Sequence, residues 1–367
     1  MHILLVTDSY LPDKNGVAIS ISRQAKALRA HGHSVNVLGP SRCHLNYPIS
    51  SWVLFSTIDS AYKAELPKEL SSLRAAVNEA DLIHIHTPFG FGFFVAIIAR
   101  IAKKPFVYTH HTNFFNGYMQ YLGVFNTRLT RWTLLKLYVQ FLSLSSLVIV
   151  PTQATFSELC RIYPSVINKS RTLLSFGYQP VSIFRAADKR IIDIVYVGRL
   201  APEKNAKLAI NAIVELGKEH PIHSVAIIGD GVERKMLEKI SKSVPETKLR
   251  FYGNLSNKKV YEVLLQSKLM LFTSTSDTQA LVIDEANACG VPIVAVDSLL
   301  ARERIIQNET GWICSSNIRH IVDRLISAFQ ILEDRGREIQ HECLSNVAYR
   351  NLDEWAKDYL NIIESIS

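Results

Sequence analysis

Short apolar runs rich in β-branched residues alternate with longer segments of helical periodicity along most of the chain. The first run, Ile3–Val6, predicts a strand. Apolar residues then recur at Ile21, Ala25 and Leu28, which is the spacing of a helix. Gly32 follows at a position typical of a helix end. The other strands predicted in the first half are Val35–Leu38, Asp81–His86, Pro105–Thr109 and Leu147–Val150.

The second half of the chain repeats this alternation, with strands predicted at Asp193–Val197, Ser224–Ile228, Leu249–Tyr252, Leu269–Thr273 and Pro292–Val296. Strands that alternate with helices form parallel sheets, and two such series predict two Rossmann-like, doubly wound α/β domains facing a cleft. Polar residues interrupt the pattern near 175–190. We therefore expect a first domain over residues 1–175, a second over 176–350, and a C-terminal helix over 351–367 that can cross back to the first.

Length and composition agree with this organisation. A chain of 367 residues exceeds the usual size of one core, and 48% hydrophobic with 20% charged residues is typical of a globular protein. Five scattered cysteines without a CxxC pair favour a reducing cytosol over a disulfide framework or a zinc site. The N-terminus is interpreted as a strand, not a secretion signal. The longest apolar stretch, 141–150, is shorter than the roughly 20 residues of a spanning helix, so we expect a cytoplasmic protein with at most peripheral membrane contact.

The excess of positive charge lies entirely in the first half of the chain. Residues 1–170 carry 16 Lys and Arg against 8 Asp and Glu, whereas the remaining residues carry 25 of each kind. This asymmetry predicts that the first domain meets an anionic surface, although a solvated basic face explains the charge alone equally well. No nucleic-acid-binding motif accompanies the charge, and a nucleic-acid partner is not expected.

Residues just after each strand are the candidates for chemistry, because doubly wound sheets bind ligands beyond the carboxyl ends of their strands. Arg199 and Lys204 follow the first strand of the second half and can both reach one diphosphate leaving group. A salt-bridged surface turn explains their spacing equally well. Gly229 indicates a close backbone approach or a plain Asp-Gly turn. Gly16 can bring backbone N–H groups to a phosphate, or form an ordinary tight turn.

Two acids eight residues apart mark the strongest segment, 276–292. Asp277 lies in a predicted loop and Glu285 two turns into the helix that follows, so the two carboxylates can hold opposite ends of one extended ligand. The helix start between them offers N–H groups to a phosphate. Such a pair of acids is also common on solvent-facing helices. The donor-binding candidates of this segment are Asp277, Thr278, Gln279, Ala280, Leu281 and Glu285.

Four histidines follow two neighbouring strands of the first half. His84 and His86 end one predicted strand, and His110 and His111 end the next. Alternation points His84 and His86 to a common face, but no third ligand stands in obvious register, so no metal site is expected. A histidine that polarises a sugar hydroxyl or supports a transition state fits the strand ends better.

As a set, these segments resemble glycosyltransferase family 4, the retaining enzymes of GT-B architecture, over nearly the whole chain. The resemblance implies that Arg199 and Lys204 stabilise the donor phosphates without a metal. It implies that Glu285 holds the nucleotide ribose and that Asp277, which replaces the usual glutamate, contacts the donor sugar.

The resemblance also assigns roles in the first domain. Gly16 matches the second glycine of the family's Gly-Gly loop, and Asn15 replaces the first. His111 matches the active-site histidine, with His110 as the alternative register. The catalytic candidates are His111, Arg199, Lys204 and Asp277.

Within the family, "DTQALVIDEANACGVPIVAVDS" and "HTPFGFG…YTHHTNFFNGYMQYLG" are similar to bacterial diacylglycerol glucosyltransferases. This implies a hexose donor, UDP-glucose, a membrane lipid acceptor such as diacylglycerol, and a peripheral position on the inner face of the cell membrane. The aromatic and basic segment Asn113–Ser143 predicts contact with an anionic membrane, with core packing as the alternative. Its membrane or acceptor candidates are Arg128, Arg131, Trp132 and Lys136.

The sequence thus predicts a metal-independent, retaining hexosyltransferase in which the departing phosphate oxygen helps to deprotonate the incoming hydroxyl. Three alternatives stay open. The acceptor can be a soluble molecule or another glycan; the protein can be a non-hydrolysing nucleotide-sugar epimerase, which needs no acceptor; or it can bind donor without turnover.

Overall fold

A computed structural model describes residues 1–11, 16–41, 43, 45, 47–56, 63–111, 127–173, 190–244, 248–347 and 352–364. The chain divides into two compact units. Unit 1 comprises Met1–Gly177 and Leu352–Ser367, and unit 2 comprises Tyr178–Asn351. The boundaries predicted after residues 175 and 350 fall outside the described residues.

Unit 1 is built on a seven-stranded parallel sheet. Its strands and helices up to the middle of the chain are β1 (His2–Val6), α1 (Gly16–Ala30), β2 (Ser34–Pro40), β3 (Tyr47–Ile49), β4 (Ser51–Ser56), β5 (Lys63–Pro67), α2 (Leu70–Glu79), β6 (Leu82–Ile85), α3 (Phe91–Ile101), β7 (Phe106–Thr109), α4 (Arg128–Leu144), β8 (Leu147–Val150), α5 (Gln153–Ile162) and β9 (Ser170–Thr172). The sheet has the order β3-β2-β1-β6-β7-β8-β9, and β4 pairs with β5 as a separate antiparallel hairpin.

Unit 2 contains a six-stranded parallel sheet. Its elements are β10 (Ile192–Val197), α6 (Ala206–Glu219), β11 (Ser224–Ile228), α7 (Arg234–Ser241), β12 (Lys248–Gly253), α8 (Asn257–Leu265), β13 (Ser267–Phe272), α9 (Leu281–Ala288), β14 (Ile293–Val296), α10 (Leu299–Arg304), β15 (Gly311–Cys314) and α11 (Ile318–Val347). The strand order is β12-β11-β10-β13-β14-β15. The predicted α/β class, with two Rossmann-like doubly wound domains, is confirmed.

The last described helix, α12 (Leu352–Glu364), belongs to unit 1, where it packs against α1. Together these two helices cover one face of the sheet, and the buried side chains Trp355 and Tyr359 join the core on that side. Helices α2, α3 and α4 cover the other face. Apolar residues on both faces of the central strands explain why those strands are continuous hydrophobic runs.

In each sheet the chain adds strands first to one side and then to the other, which creates a switch point. This point lies between β1 and β6 in unit 1 and between β10 and β13 in unit 2. Loops that leave the carboxyl ends of the two central strands diverge there, and the crevice between them is the usual ligand site of such sheets.

None of the described helices is long and apolar enough to cross a membrane.

Candidate functional site

The loop after β13 is tied to the turn after β10 at the switch point of unit 2. The hydroxyl of Thr273 lies 3.1 Å from the carbonyl oxygen of Lys204 and 3.0 Å from that of Asn205. Asn205 donates back to the carbonyl of Thr273 at 3.2 Å. Ser276 donates to the carbonyl of Glu203 at 2.7 Å. These bonds connect residues about 70 positions apart in sequence, and they fix the two loops against each other.

Two of the predicted catalytic residues meet in this junction. The ammonium of Lys204 contacts a carboxylate oxygen of Asp277, and the two side chains are 26% and 17% exposed. Burial raises the pKa of Asp277, but the charge and hydrogen bond of Lys204, with smaller contributions from Ser274 and Arg199, bring that pKa below its usual value. Asp277 is therefore a carboxylate at neutral pH, in contact with a cation.

Arg199 lies on the same turn, with a guanidinium nitrogen 3.2 Å from a carboxylate oxygen of Glu203. The sequence did not single out Glu203, because a glutamate in a surface turn has no distinctive spacing. The turn thus presents alternating cations and anions, and a diphosphate would meet Arg199 and Lys204 already oriented by acidic neighbours.

Gly229 allows the loop after β11 to pack directly on the turn after β10. Its φ is +125°, and a Cβ atom there would lie 2.0 Å from the carbonyl oxygen of Gly198. The backbone N–H of Gly198 donates to the carbonyl oxygen of Ile228 at 3.0 Å, and the backbone N–H of Leu200 donates to the carbonyl oxygen of Asp230 at 3.0 Å. Close backbone approach, one of the two interpretations of Gly229, is what the structure shows.

The segment between Asp277 and α9 is buried and strained at one residue. Thr278 and Gln279 are 7% and 8% exposed. Ala280 has a left-handed φ of 47° immediately before the helix, a conformation that is costly for a residue with a Cβ. Leu281 begins α9, and Glu285 lies half-buried in its second turn. The helix begins later than the sequence indicated, so Glu285 lies one turn into it, not two.

A buried ion pair next to Glu285 was missed by the sequence reasoning. Asp284 on α9 contacts Arg304 at the end of α10, and each residue is 2% exposed. Two guanidinium nitrogens of Arg304 and both polar atoms of the Asn287 side chain have no hydrogen-bond partner among the described residues. The spacing of buried positions along helix α9 could have placed Asp284 and Asn287 on the buried face of the helix. No local feature of the sequence indicates Arg304 as the partner of Asp284.

The switch point of unit 1 joins the ends of β1 and β6. Asp8 lies directly after β1, and its carboxylate accepts a hydrogen bond of 2.9 Å from the backbone N–H of Phe91, the first residue of α3. The N–H of Asp8 donates to the hydroxyl of Thr87 at 3.1 Å. Gly16 begins α1 as expected for a helix-start glycine. A Cβ at Gly16 would meet none of the described atoms within 4 Å, and residues 12–15, including Asn15, lie outside the described residues.

The four histidines separate into two environments. The rings of His84 and His86 stack with centroids 4.2 Å apart, on the common face that alternation predicted. His86 Nδ1 lies 2.8 Å from His111 Nε2. His110 points elsewhere: its Nδ1 lies 2.7 Å from the hydroxyl of Tyr138 on α4, and it is 3% exposed. His111 is less buried than His110.

Burial lowers the pKa of both histidines after β7. The pKa of His110 falls to about 4, and that of His111 falls to about 3, with a further contribution from the charge of His110. Both rings are therefore neutral at physiological pH. A neutral imidazole has one N–H donor and one acceptor nitrogen, so it can hydrogen-bond an uncharged sugar hydroxyl. Among the described residues, no group of three or more His, Cys, Asp and Glu side chains could hold a metal ion.

Helix α4 carries the four membrane or acceptor candidates on its solvent side. Arg128, Arg131 and Lys136 are exposed, and Trp132 is 53% exposed. The ammonium of Lys136 lies 3.8 Å from the centre of the Trp132 ring. These four side chains are therefore not core residues. The remainder of the predicted segment, up to residue 126, lies outside the described residues.

A cavity of about 850 Å³ in unit 2 lies at the amino ends of the strands, on the side of the sheet away from the switch point. Arg190, Asp193 and Lys268 line it near the amino ends of β10 and β13. It contains none of the predicted donor-binding residues, and it does not coincide with the switch point.

Comparison with known proteins matches most of the chain to two families of glycosyltransferases. Residues 14–172 match the family described as Glycosyltransferase Family 4, and residues 184–344 match the family described as Glycosyl transferases group 1. The chain is 27% identical over 319 residues to the alpha-monoglucosyldiacylglycerol synthase of Acholeplasma laidlawii, and the aligned residues cover 80% of each chain. It is 26% identical over 314 residues to the GDP-mannose-dependent alpha-mannosyltransferase of Corynebacterium glutamicum, covering 80% of this chain and 72% of the other.

Solved structures share the fold at low sequence identity. Anabaena HepE in complex with UDP superposes with a TM-score of 0.75 at 18% identity, over 100% of both chains. Sucrose-phosphate synthase from Thermosynechococcus elongatus superposes with a TM-score of 0.74 at 18% identity, over 100% of this chain and 98% of the other. The likeness extends through both units.

Proposed function

Because the chain belongs to glycosyltransferase family 4 and has the GT-B fold, we propose that it transfers a hexose from a nucleoside diphosphate donor to a membrane lipid such as diacylglycerol. The proposed donor is UDP-glucose, and the proposed reaction retains the configuration of the anomeric carbon and needs no metal. The observation that carries the proposal is the contact of Lys204 with Asp277 at the switch point of unit 2. There a phosphate-binding cation and a sugar-binding acid stand in one junction.

The leaving diphosphate gains negative charge as the bond between the anomeric carbon and the phosphate oxygen of the donor breaks. Arg199 and Lys204 would stabilise that charge in place of a metal. Asp277 would accept hydrogen bonds from the donor sugar, and Glu285 from the nucleotide ribose. His111, in its neutral form, would contact the sugar near the reacting carbon, and the departing phosphate oxygen would take the proton of the acceptor hydroxyl.

Relatives support the lipid acceptor more strongly than the donor. The Acholeplasma laidlawii and Streptococcus pneumoniae relatives are both alpha-monoglucosyldiacylglycerol synthases. The Corynebacterium glutamicum relative uses GDP-mannose, so GDP-mannose is the second donor to test.

The activity test combines each donor with diacylglycerol vesicles and follows the products by mass spectrometry and the anomeric configuration by NMR. We expect an α-glucosyl lipid from UDP-glucose, and turnover that persists in excess EDTA. Lys204→Gln should lower kcat by about 10² to 10³, the usual loss when one group that stabilises developing charge is removed. The matched control is Lys207→Gln on the same segment, which should retain activity. Conversion of donor without acceptor indicates an epimerase, and binding without turnover indicates an inactive donor-binding protein.

Calorimetry with free nucleoside diphosphate and with intact donor separates the roles of the two acids. Glu285→Ala should weaken both ligands by roughly 1.5–3 kcal/mol, the usual cost of a lost hydrogen bond to a charged group. Asp277→Ala should weaken the intact donor more than the free diphosphate. Equal losses for both ligands in both variants would contradict this division.

The exposed side chains of α4 support peripheral binding to the inner face of the cell membrane. Each cation near an anionic leaflet contributes about 1 kcal/mol, and this attraction is screened by salt. The wild type should sediment with phosphatidylglycerol vesicles at low salt. Replacing Arg128, Arg131 and Lys136 by Ser should weaken that binding. The control variant replaces three exposed lysines in or next to α7 of unit 2, Lys235, Lys239 and Lys242, by Ser. It has the same net charge as the α4 variant. Equal binding by the two triple variants would exclude α4 as the docking helix.

A further inference from the structure

Three buried side chains of unit 1 stand in line behind His111. The hydroxyl oxygen of Tyr359, on α12, lies 2.8 Å from Nδ1 of His84. His84 stacks on His86, and Nδ1 of His86 lies 2.8 Å from Nε2 of His111. Tyr359, His84 and His86 are 0%, 0% and 1% exposed. We call these three residues the histidine column.

The neighbours of His84 determine which of its nitrogens carries the proton. Nε2 of Gln24 lies 3.0 Å from Nδ1 of His84, and an amide nitrogen can only donate. The hydroxyl of Tyr359 at the same nitrogen can donate as well. Nδ1 of His84 is therefore the acceptor, and its proton lies on Nε2, which donates to the hydroxyl of Thr109 at 2.7 Å. This assignment follows from the hydrogen-bond network.

The contact between His86 and His111 holds a single proton. Burial lowers the pKa of both rings far enough that each is neutral and has one N–H. Nε2 of His86 is buried and has no hydrogen-bond partner in the part of the chain that the structure describes. If His86 carried its proton there, a buried N–H would be left without an acceptor, which is rare in native proteins. A proton on Nδ1 of His86 is instead used in the bond to His111.

We propose that the histidine column fixes His111 in the tautomer whose proton lies on Nδ1. His86 donates from Nδ1 to Nε2 of His111, and His84 and Tyr359 hold the ring of His86 in place. His111 then makes contacts through Nδ1 only as a hydrogen-bond donor, which suits a sugar hydroxyl or a phosphate oxygen and does not suit a general base. His86, His84 and Tyr359 are positioning residues. The consequence for transfer rests on the proposed function, whereas the tautomer does not.

The test is long-range ¹H–¹⁵N NMR of the full chain with ¹⁵N-labelled histidine at pH 7.5, without substrate. One of the 12 histidine patterns is assigned by its loss in His111→Gln. We expect that pattern to show a protonated Nδ1 and an unprotonated Nε2. His86→Phe keeps a ring against His84 and removes the donor, so the pattern should shift toward a protonated Nε2. Tyr359→Phe should shift it in the same direction by a smaller amount.

Tyr163→Phe is the matched control, because Tyr163 is a buried tyrosine of the same unit whose hydroxyl has no hydrogen-bond partner among the described residues. It should leave the His111 pattern unchanged. In the transferase assay, His86→Phe should lower kcat about tenfold or more with little change in the KM for donor, as small displacements of a catalytic group do. A wild-type His111 with its proton on Nε2 would overturn the inference. If His86→Phe does not fold, the wild-type tautomer and Tyr359→Phe decide. A protein without transferase activity whose His111 has the expected tautomer would contradict the proposed function but not the assignment of the His111 tautomer.

Discussion

Acidification should destabilise unit 1 because this unit holds four histidines in their neutral form. Burial lowers the pKa of His84 and of His86 well below 6.5. It lowers the pKa of His110 to about 4 and that of His111 to about 3. In the unfolded chain each ring titrates near pH 6.5. Below that pH the unfolded state binds protons that the folded state excludes, so stability is complete above pH 6.5 and is lost as the pH falls toward the folded pKa values.

The magnitude follows from the linkage relation. At pH 5.5 an unfolded histidine is about 90% protonated, and each of the four rings then lowers the free energy of unfolding by about 1.4 kcal/mol relative to pH 7.5. The four contributions add because the rings titrate independently in the unfolded chain, which gives about 5 kcal/mol. That loss is comparable with the whole stability of a typical domain, about 5–15 kcal/mol.

Hydrogen exchange monitored by mass spectrometry on peptides from β6 and β7 reports the stability of unit 1 separately from unit 2. Measured at pH 7.5, 6.5 and 5.5 and corrected for the intrinsic exchange rate, the opening free energy should fall mainly between the last two values. His110→Gln should reduce the slope by about a quarter. Tyr163→Phe should shift all three values equally, because burial raises the pKa of that phenol to about 12. Stability that changes by less than about 1 kcal/mol over this range would refute the assignment of four neutral rings.

Two further predictions concern unit 2. Arg304→Leu should destabilise unit 2 by about 3–5 kcal/mol in urea unfolding, because it leaves the Asp284 carboxylate buried without its cation; the double variant with Asp284→Leu should recover most of that loss. Gly229→Ala should weaken binding of free nucleoside diphosphate in calorimetry, because its Cβ would lie 2.0 Å from the Gly198 carbonyl oxygen and displace the turn that carries the proposed phosphate ligands; unchanged affinity would contradict the role of this close approach.

Strands buried on both faces could be predicted closely from the sequence. The observed β8 (Leu147–Val150) and β11 (Ser224–Ile228) agree with the prediction residue for residue, because an uninterrupted apolar run defines each. Strands β3, β4, β5, β9 and β15 were missed. The sequence of β9, Ser-Arg-Thr, has no apolar pattern, and it pairs on one side only at the edge of its sheet. The strand conformation of β9 depends on its pairing with β8, and the residues of β9 themselves carry no signal of that pairing.

In the candidate site, likewise, the sequence indicated residues but not the partners that they contact. The sequence indicated Lys204 and Asp277 as separate candidates, but their contact depends on the adjacency of β10 and β13, which are distant in the chain. The partnership of Tyr359 with His84 spans 275 residues. A tyrosine on the apolar face of a terminal helix has no local feature that distinguishes it from an ordinary core residue. Motifs therefore indicated which residue types matter, and sheet topology decided which of them meet.

The two switch points differ in charge, and the difference follows from burial. In unit 2 the turn after β10 is partly open, and Arg199 and Lys204 lie beside acidic partners. In unit 1 the residues after β6 and β7 are histidines whose burial keeps them neutral. A departing diphosphate requires fixed cations, whereas an uncharged hydroxyl requires a neutral group of defined tautomer. Each unit therefore has the electrostatics that its part in the proposed transfer needs, and protonating Nε2 of His111 would remove the acceptor of the hydrogen bond that His86 donates.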